Sequence, residues 1–338
     1  MTEAASLPTL SYRVRQLVDP DVVCGPCTGG WYQLRPAAGG VTILDADGAT
    51  IDEWAVSPGA LVGRGTRWPV TTVDPTGRRV VRTREDRTDV ADAAGGVISI
   101  GHTRWARNAG VAAIDPGRPD RLWTVTASRP TGHTQPPSGI VGLVDVASGE
   151  VVDAVDLDDG APEGYSMLTM GDRGLVLNGG YGQDGSMIWF LRVGDGDRIE
   201  RRTIDDSGVL ADADPERGEI LILPHDGDHL EIRTWWDGEL VTQVDSVALF
   251  EELGGVDDED DDGYDEPDMF DFQGSFLGPD HLVGLTTLER ILVLRRDGTA
   301  VGWLDDPGTV DLGGFASIGR GRTLARGRHG TAVLELDV

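Results

Sequence analysis

Carboxylates crowd one stretch of this sequence, EELGGVDDEDDDGYDEPD at 251–268. Within it Asp258, Asp260, Asp262 and Gly263 follow the D-x-D-x-D-G order in which oxygen ligands wrap a calcium ion. The twelfth position of such a loop is Met269, where a bidentate Glu belongs, so the pattern stops short of a calcium hand. The plain reading is a solvated acidic insert, with a docking strip for a basic partner as the functional one. Calcium is the single cofactor left open, and otherwise none is expected.

Other residue types could do other chemistry. His225 and His229 flank Asp226 and Asp228 in LPHDGDHLEI, and imidazole with carboxylate can hold a zinc-like ion. Asp-Gly between two apolar runs is first of all a turn, and no third ligand is evident. Cys24-Gly25-Pro26-Cys27 spells the thioredoxin motif, but TGGWYQLRP follows where that chemistry needs a helix. Two inert thiols or a local disulfide are expected instead.

Arginines gather as Arg82, Arg84 and Arg87, and again as Arg320, Arg322, Arg326 and Arg328. Guanidinium forks suit carboxylates and phosphates. Glu85, Asp86 and Asp89 lie close by in sequence, so ion pairs within the protein are expected, with a small anionic ligand as the alternative. Trp68, Trp105, Arg107, His133 and Tyr165 fall in long irregular stretches and are the candidate anchors for a protein partner.

The elements that position these groups repeat. In GIVGLVDVASGEVVDAVDL, at 139–157, two apolar runs flank a Ser-Gly turn, which reads as a β-hairpin. VTILDADGATIDEWAV at 41–56, MIWFLRVGDGDRIERRTI at 187–204, LEIRTWWDGELVTQV at 230–244 and RILVLRRDGTAVGWL at 290–304 repeat the plan. Each follows another pair of short runs, so one unit is four strands. Units begin near residues 22, 70, 110, 166, 208, 270 and 313. Such a sheet is apolar on both faces and needs a neighbour on each, which radial stacking supplies. TAVLELDV, at the end, provides a third strand without a fourth, and LSYRVRQLV at 10–18 is a spare alternating strand that can complete it.

The hairpins, VDVASGEVV above all, resemble those of the WD40-like and YVTN/quinoprotein-like propeller superfamilies over nearly the whole chain. The periodic Gly-His and Trp-Asp signatures of true WD40 repeats are missing. The resemblance implies an all-β, seven-bladed propeller of four-stranded antiparallel blades. It also implies one domain over 1–338, with the acidic insert at 251–268.

Composition narrows the chemistry. The net charge is −29 and the sequence contains no lysine. A phosphate-cradling P-loop and a Schiff-base mechanism both need that residue. So negative a chain repels phosphate backbones, which argues against nucleic acid and favours a basic partner. No run is apolar enough to cross a bilayer and no export signal is seen, so a cytoplasmic setting is expected. Arginine in place of every lysine points to a GC-rich bacterial genome, with salt adaptation as the alternative.

Short Asp/Gly turns join the first strand to the second and the third to the fourth. Long, uneven loops, 57–69, 101–108, 128–138, 156–165, 178–186 and 245–268, gather at the opposite ends. Of the first strands, only Asp212, Asp271 and Gln273 look polar in mid-run. The leading reading is a non-enzymatic scaffold binding a protein through its long-loop face. Alternatives are a metal-assisted, lactonase-like hydrolase with its site at the propeller axis, and a small anionic-ligand sensor.

Overall fold

The computed structural model describes residues 7–10, 12–19, 22–27, 30–35, 38–56, 70–74, 76–84, 87–101, 110–127, 138–157, 164–180, 186–204, 208–224, 229–253, 270–286, 290–304, 312–319, 322–327 and 330–336. They form seven antiparallel blades, and the fold is that of a seven-bladed β-propeller. The chain divides into two compact units, one of Asp21–Asp206 and one of Met1–Pro20 with Ser207–Val338.

The first unit holds four blades. Blade 1 is Val23–Cys27, Gly30–Arg35, Gly40–Asp45 and Thr50–Ala55. Blade 2 is Val70–Val73, Arg79–Thr83, Arg87–Asp92 and Val97–Gly101. Blade 3 is Val111–Ile114, Arg121–Ala127, Gly139–Asp145 and Val151–Asp156. Blade 4 is Gly164–Thr169, Leu175–Gly180, Ser186–Val193 and Ile199–Ile204.

Strand alternation explains the packing. Leu122 and Val144 of blade 3 join Val81, Val90 and Ile100 of blade 2. Their neighbours Trp123, Val125, Val141 and Leu143 point the other way and meet Leu175, Leu177, Trp189 and Leu191 of blade 4. The middle strands are therefore buried on both faces, which is why they read as nearly continuous apolar runs. Each such Leu, Ile or Val contributes roughly 1.5–3 kcal/mol by leaving water. The outer strands Thr50–Ala55 and Val151–Asp156 are wetter and leave Ile51 and Val151 exposed.

One side-chain device sets the turns. Asp45, Asp74, Asp92, Asp115 and Asp145 each end a strand or directly follow one, and each accepts two turn N–H groups on its Oδ1. This is the local bond that suits Asp to a turn. Gly149 then supplies the left-handed step, with φ 72°, beside a register shift at Leu143/Val144.

The second unit holds three blades. Blade 5 is Gly208–Asp214, Glu219–Pro224, His229–Thr234 and Leu240–Asp245. Blade 6 is Phe270–Leu277, His281–Thr286, Ile291–Arg295 and Ala300–Leu304. Blade 7 is Leu312–Gly319, Arg322–Gly327 and Gly330–Leu336, and its fourth strand is Tyr12–Val18.

The spare N-terminal strand thus pairs antiparallel with the last strand, as the alternation of LSYRVRQLV predicts. It is shared out in a way the sequence does not show. Thr9–Leu10 pairs parallel with Trp303 and Leu304, adding a fifth strand to blade 6. A bulge between Val14 and Gln16 leaves Arg15 as the extra residue, and its guanidinium grips Glu335 at 2.6 and 3.0 Å.

A short helix, α1 (Ser246–Glu252), follows blade 5. Asp245 caps it by accepting the Ala248 N–H. Phe250 pins it, meeting Phe270 edge-on at 5.3 Å and stacking near Trp303 at 6.3 Å. None of the described helices is long and apolar enough to cross a membrane.

Candidate functional site

Catalysis at a propeller axis draws on the first strands, so the polar residues there come first. Asp212 sits at a bulge in Gly208–Asp214 and is 9% exposed. Its Oδ2 accepts the Ser275 hydroxyl at 2.5 Å and the Phe276 N–H at 2.9 Å, both from the first strand of blade 6. Its Oδ1 accepts the Ala213 N–H at 2.8 Å. Burial pushes its carboxyl up to about 6 against the pull of those bonds. Asp212 therefore clips blade 5 to blade 6. Gln273 lies on that neighbouring strand with its Oε1 buried and without a hydrogen-bond partner. The Asp271 side chain lies outside the described residues.

The ends of the blades that carry short turns are closed by ion pairs. Arg121 bonds Asp145 at 2.7 Å and Asp197 at 3.0 Å, and Arg118 also pairs with Asp197. These donors hold Asp197 below the usual carboxylate range, the Arg118 bond first. Trp54 donates to the Gly77 carbonyl at 2.8 Å and so ties blade 1 to blade 2. In the other unit, Arg296 of blade 6 pairs with Asp214 and Glu219 of blade 5 and covers the Phe276 ring at 4.3 Å. Arg118, Arg121 and Arg296 thus hold neighbouring blades together at these ends.

At the long-loop end of blade 2 the arginines behave differently. Asp89 takes Arg84 at 3.0 Å, Arg87 at 3.5 Å and the Ser99 hydroxyl at 2.6 Å. The expected pairing with Asp89 is therefore present for two of the three arginines. Arg82, directly opposite Asp89 in the register, is 5% exposed, and its Nε and Nη1 have no partner among the described residues. Glu85 and Asp86 lie outside the described residues. Arg322, of the second cluster, is bound to Glu335 at 3.0 Å.

Cys24 and Cys27, on Val23–Cys27, are thiols and not a disulfide. Burial, then the charge of Asp74, pushes the Cys27 thiol up to about 11. That is the opposite of a reactive thiolate, and the strand Val23–Cys27 offers no helix N-terminus to counter it.

Of the candidate anchors, Tyr165 is described. It is half-buried in Gly164–Thr169, packs on Trp189 at 6.2 Å, and is accommodated by Gly139 and Gly179. Trp68, Trp105, Arg107 and His133 lie outside the described residues, as do Asp258, Asp260, Asp262 and His225. His229 opens the strand His229–Thr234 with its side chain exposed. Among the described residues, no three of His, Cys, Asp and Glu converge as metal ligands. Sequence reasoning missed the Asp212–Ser275 clip, since nothing in FQGSF marks Ser275 as its partner.

No protein-family model matches the sequence, and no characterised protein matches it significantly. Solved structures do. The WD40 repeats of RRP9 align with a TM-score of 0.56 at 10% identity, over 98% of this chain and 100% of that one. The β-propeller domain of Myceliophteria thermophila Cps50 (Swd1) aligns with a TM-score of 0.56 at 12% identity, over 96% and 99%. Streptogramin B lyase aligns with a TM-score of 0.55 at 12% identity, over 97% of each chain. At such identities the likeness shows the fold, a β-propeller, and nothing narrower.

Proposed function

We propose that this chain is a non-enzymatic scaffold, one propeller domain that binds a protein through the long-loop ends of its blades. One observation carries the reading. At the short-turn ends Arg121 and Arg296 are largely buried in ion pairs between blades, with Asp197 and with Asp214 and Glu219. Surface already committed to internal bonds has little left for a partner, whereas long loops on a rigid sheet are free to vary. The engagement of Asp212 by Ser275 and Phe276 speaks for structure rather than chemistry on that strand. Among the solved neighbours stand WD40 repeats and a lyase, so the fold by itself does not choose.

The surface assigned to the partner is that around Trp68, Trp105, Arg107, His133 and Tyr165, beside the acidic stretch 251–268. The chain's charge of −29 favours a partner with a basic surface. Capture from the source cell followed by cross-linking tests this. Cross-links at the long loops support it, and cross-links concentrated at turns 45–48 and 296–298 sink it.

A further inference from the structure

Among the described residues, the three arginines of blade 2 have one carboxylate between them. Arg82, Arg84, Arg87 and Asp89 alternate onto one face of the sheet, since Arg82 pairs with Asp89 in the register and the others are two residues away. Val80 and Ala91, next along that face, pack with Tyr32, Leu34 and Val41 of blade 1. The cluster therefore lies at the long-loop end of an otherwise apolar seam. Three guanidiniums share one described carboxylate there.

That carboxylate is already committed, its Oδ2 to Arg84 and Arg87 and its Oδ1 to Ser99. Arg82 is left deep in the seam with two nitrogens unpartnered. A buried N–H without an acceptor is costly, and a buried charge without a counter-charge costs more. Burial, and after it the like charge of Arg84, pulls its guanidinium below the ordinary arginine range, while Asp89 only partly offsets this. Exposure falls from the Arg87 side chain, 46%, to that of Arg84, 10%, which marks a way in from solvent.

We propose that this end of blade 2 binds a small free oxyanion, a carboxylate or phosphate, seated on the Arg82 fork with Arg87 at the entrance. The Arg82 Nε–H and Nη1–H lie on opposite edges of the guanidinium, so an oxyanion takes one of them together with Nη2, as guanidinium pairs do with carboxylate or phosphate. The depth of Arg82 selects a small ligand. The inference is independent of the partner proposed above, since it needs no second protein.

Melting curves in chloride buffer, and with inorganic phosphate or succinate at matched ionic strength, test it. The expected result is a rise of several degrees with either oxyanion, because a ligand that binds only the native state stabilises it. Arg82→Met abolishes the rise, and Arg87→Ala weakens apparent affinity roughly tenfold. In chloride alone, Arg82→Met melts no lower than the parent, because it removes an uncompensated buried charge. A marked loss of stability there would mean that Arg82 is already paired, and would overturn the proposal. So would a parent that ignores both oxyanions, or an Arg82→Met variant that keeps the response. A response gained only by a Glu85→Gln/Asp86→Asn variant would assign the fork to the chain's own carboxylates. A response to hexaglutamate alone would assign it to a partner's side chain, and both outcomes refute the free ligand.

Discussion

The Ser275 hydroxyl donates to the Asp212 carboxylate at 2.5 Å, from the first strand of one blade to the first strand of the next. Asp212 titrates from 3.8 unfolded to about 6 folded. Between those values the native state holds the extra proton, so this group adds stability as pH falls from 6 towards 4 and withdraws it as pH rises. Two units correspond to on the order of 3 kcal/mol. Urea unfolding from pH 4 to 7 is expected to show that slope, and Asp212→Asn is expected to flatten it. Ser275→Ala removes a bond to the charged form and moves the midpoint above 6. An unchanged slope in Asp212→Asn would refute the assignment.

Glu335 has the opposite sign. The Arg15 bond first, and Arg322 after it, hold its carboxyl down to about 2 from 4.5. Its contribution is complete above 4.5 and disappears as pH falls towards 2. Glu335→Gln is expected to reduce stability at pH 7 and to leave it nearly unchanged at pH 2. Parallel acid titrations of the two proteins check this.

Removing residues 1–18 exposes the Gly330–Leu336 edge and strips Thr9–Leu10 from blade 6. Aggregation or a fall of many degrees in melting temperature is expected, since unpaired edges recruit other strands. A truncated chain that melts with the parent would contradict it. If 1–338 is one domain, calorimetry of the parent gives a single transition.

Arg296 of blade 6 is 11% exposed and ties that blade to Asp214 and Glu219 of blade 5. Arg296→Ala leaves two carboxylates without their cation and is expected to cost about 3–5 kcal/mol. Arg296→Lys restores the charge but not the fork or the cover over Phe276, so rescue is partial. Chemical denaturation measures both.

Deleting 255–267 is expected to leave the melting temperature unchanged and to weaken the salt dependence of partner binding. Calcium is expected to shift neither protein. A calcium-dependent shift in the full chain alone would establish an ordered ion site.

Much of the fold was legible. Asp and Gly mark reversals, and the apolar run before the Ser-Gly turn in LVDVASGEVV marks a middle strand buried on both faces. The seven first strands lie where the repeat placed them. The partition of the N-terminus was not legible, because TL at 9–10 is too short to carry a period and its partner is almost 300 residues away. The site was less legible still. RTREDRTD shows the arginines and their acids, but which guanidinium goes unpaired depends on the register of Arg82 against Asp89. The Asp212 clip depends on a bulge that no local signal announces.

The shared N-terminal strand also sets an order of events in synthesis. Tyr12–Val18 leaves the ribosome before its partner Gly330–Leu336, which lies roughly 300 residues further along the chain. At roughly 5–20 residues per second, the strand waits on the order of 15–60 s without its mate. Arg13 and Arg15 place charges in mid-strand, as gatekeeper residues do in strands that must not pair prematurely. The same Arg15 that seals the finished blade through Glu335 thus guards the unfinished chain.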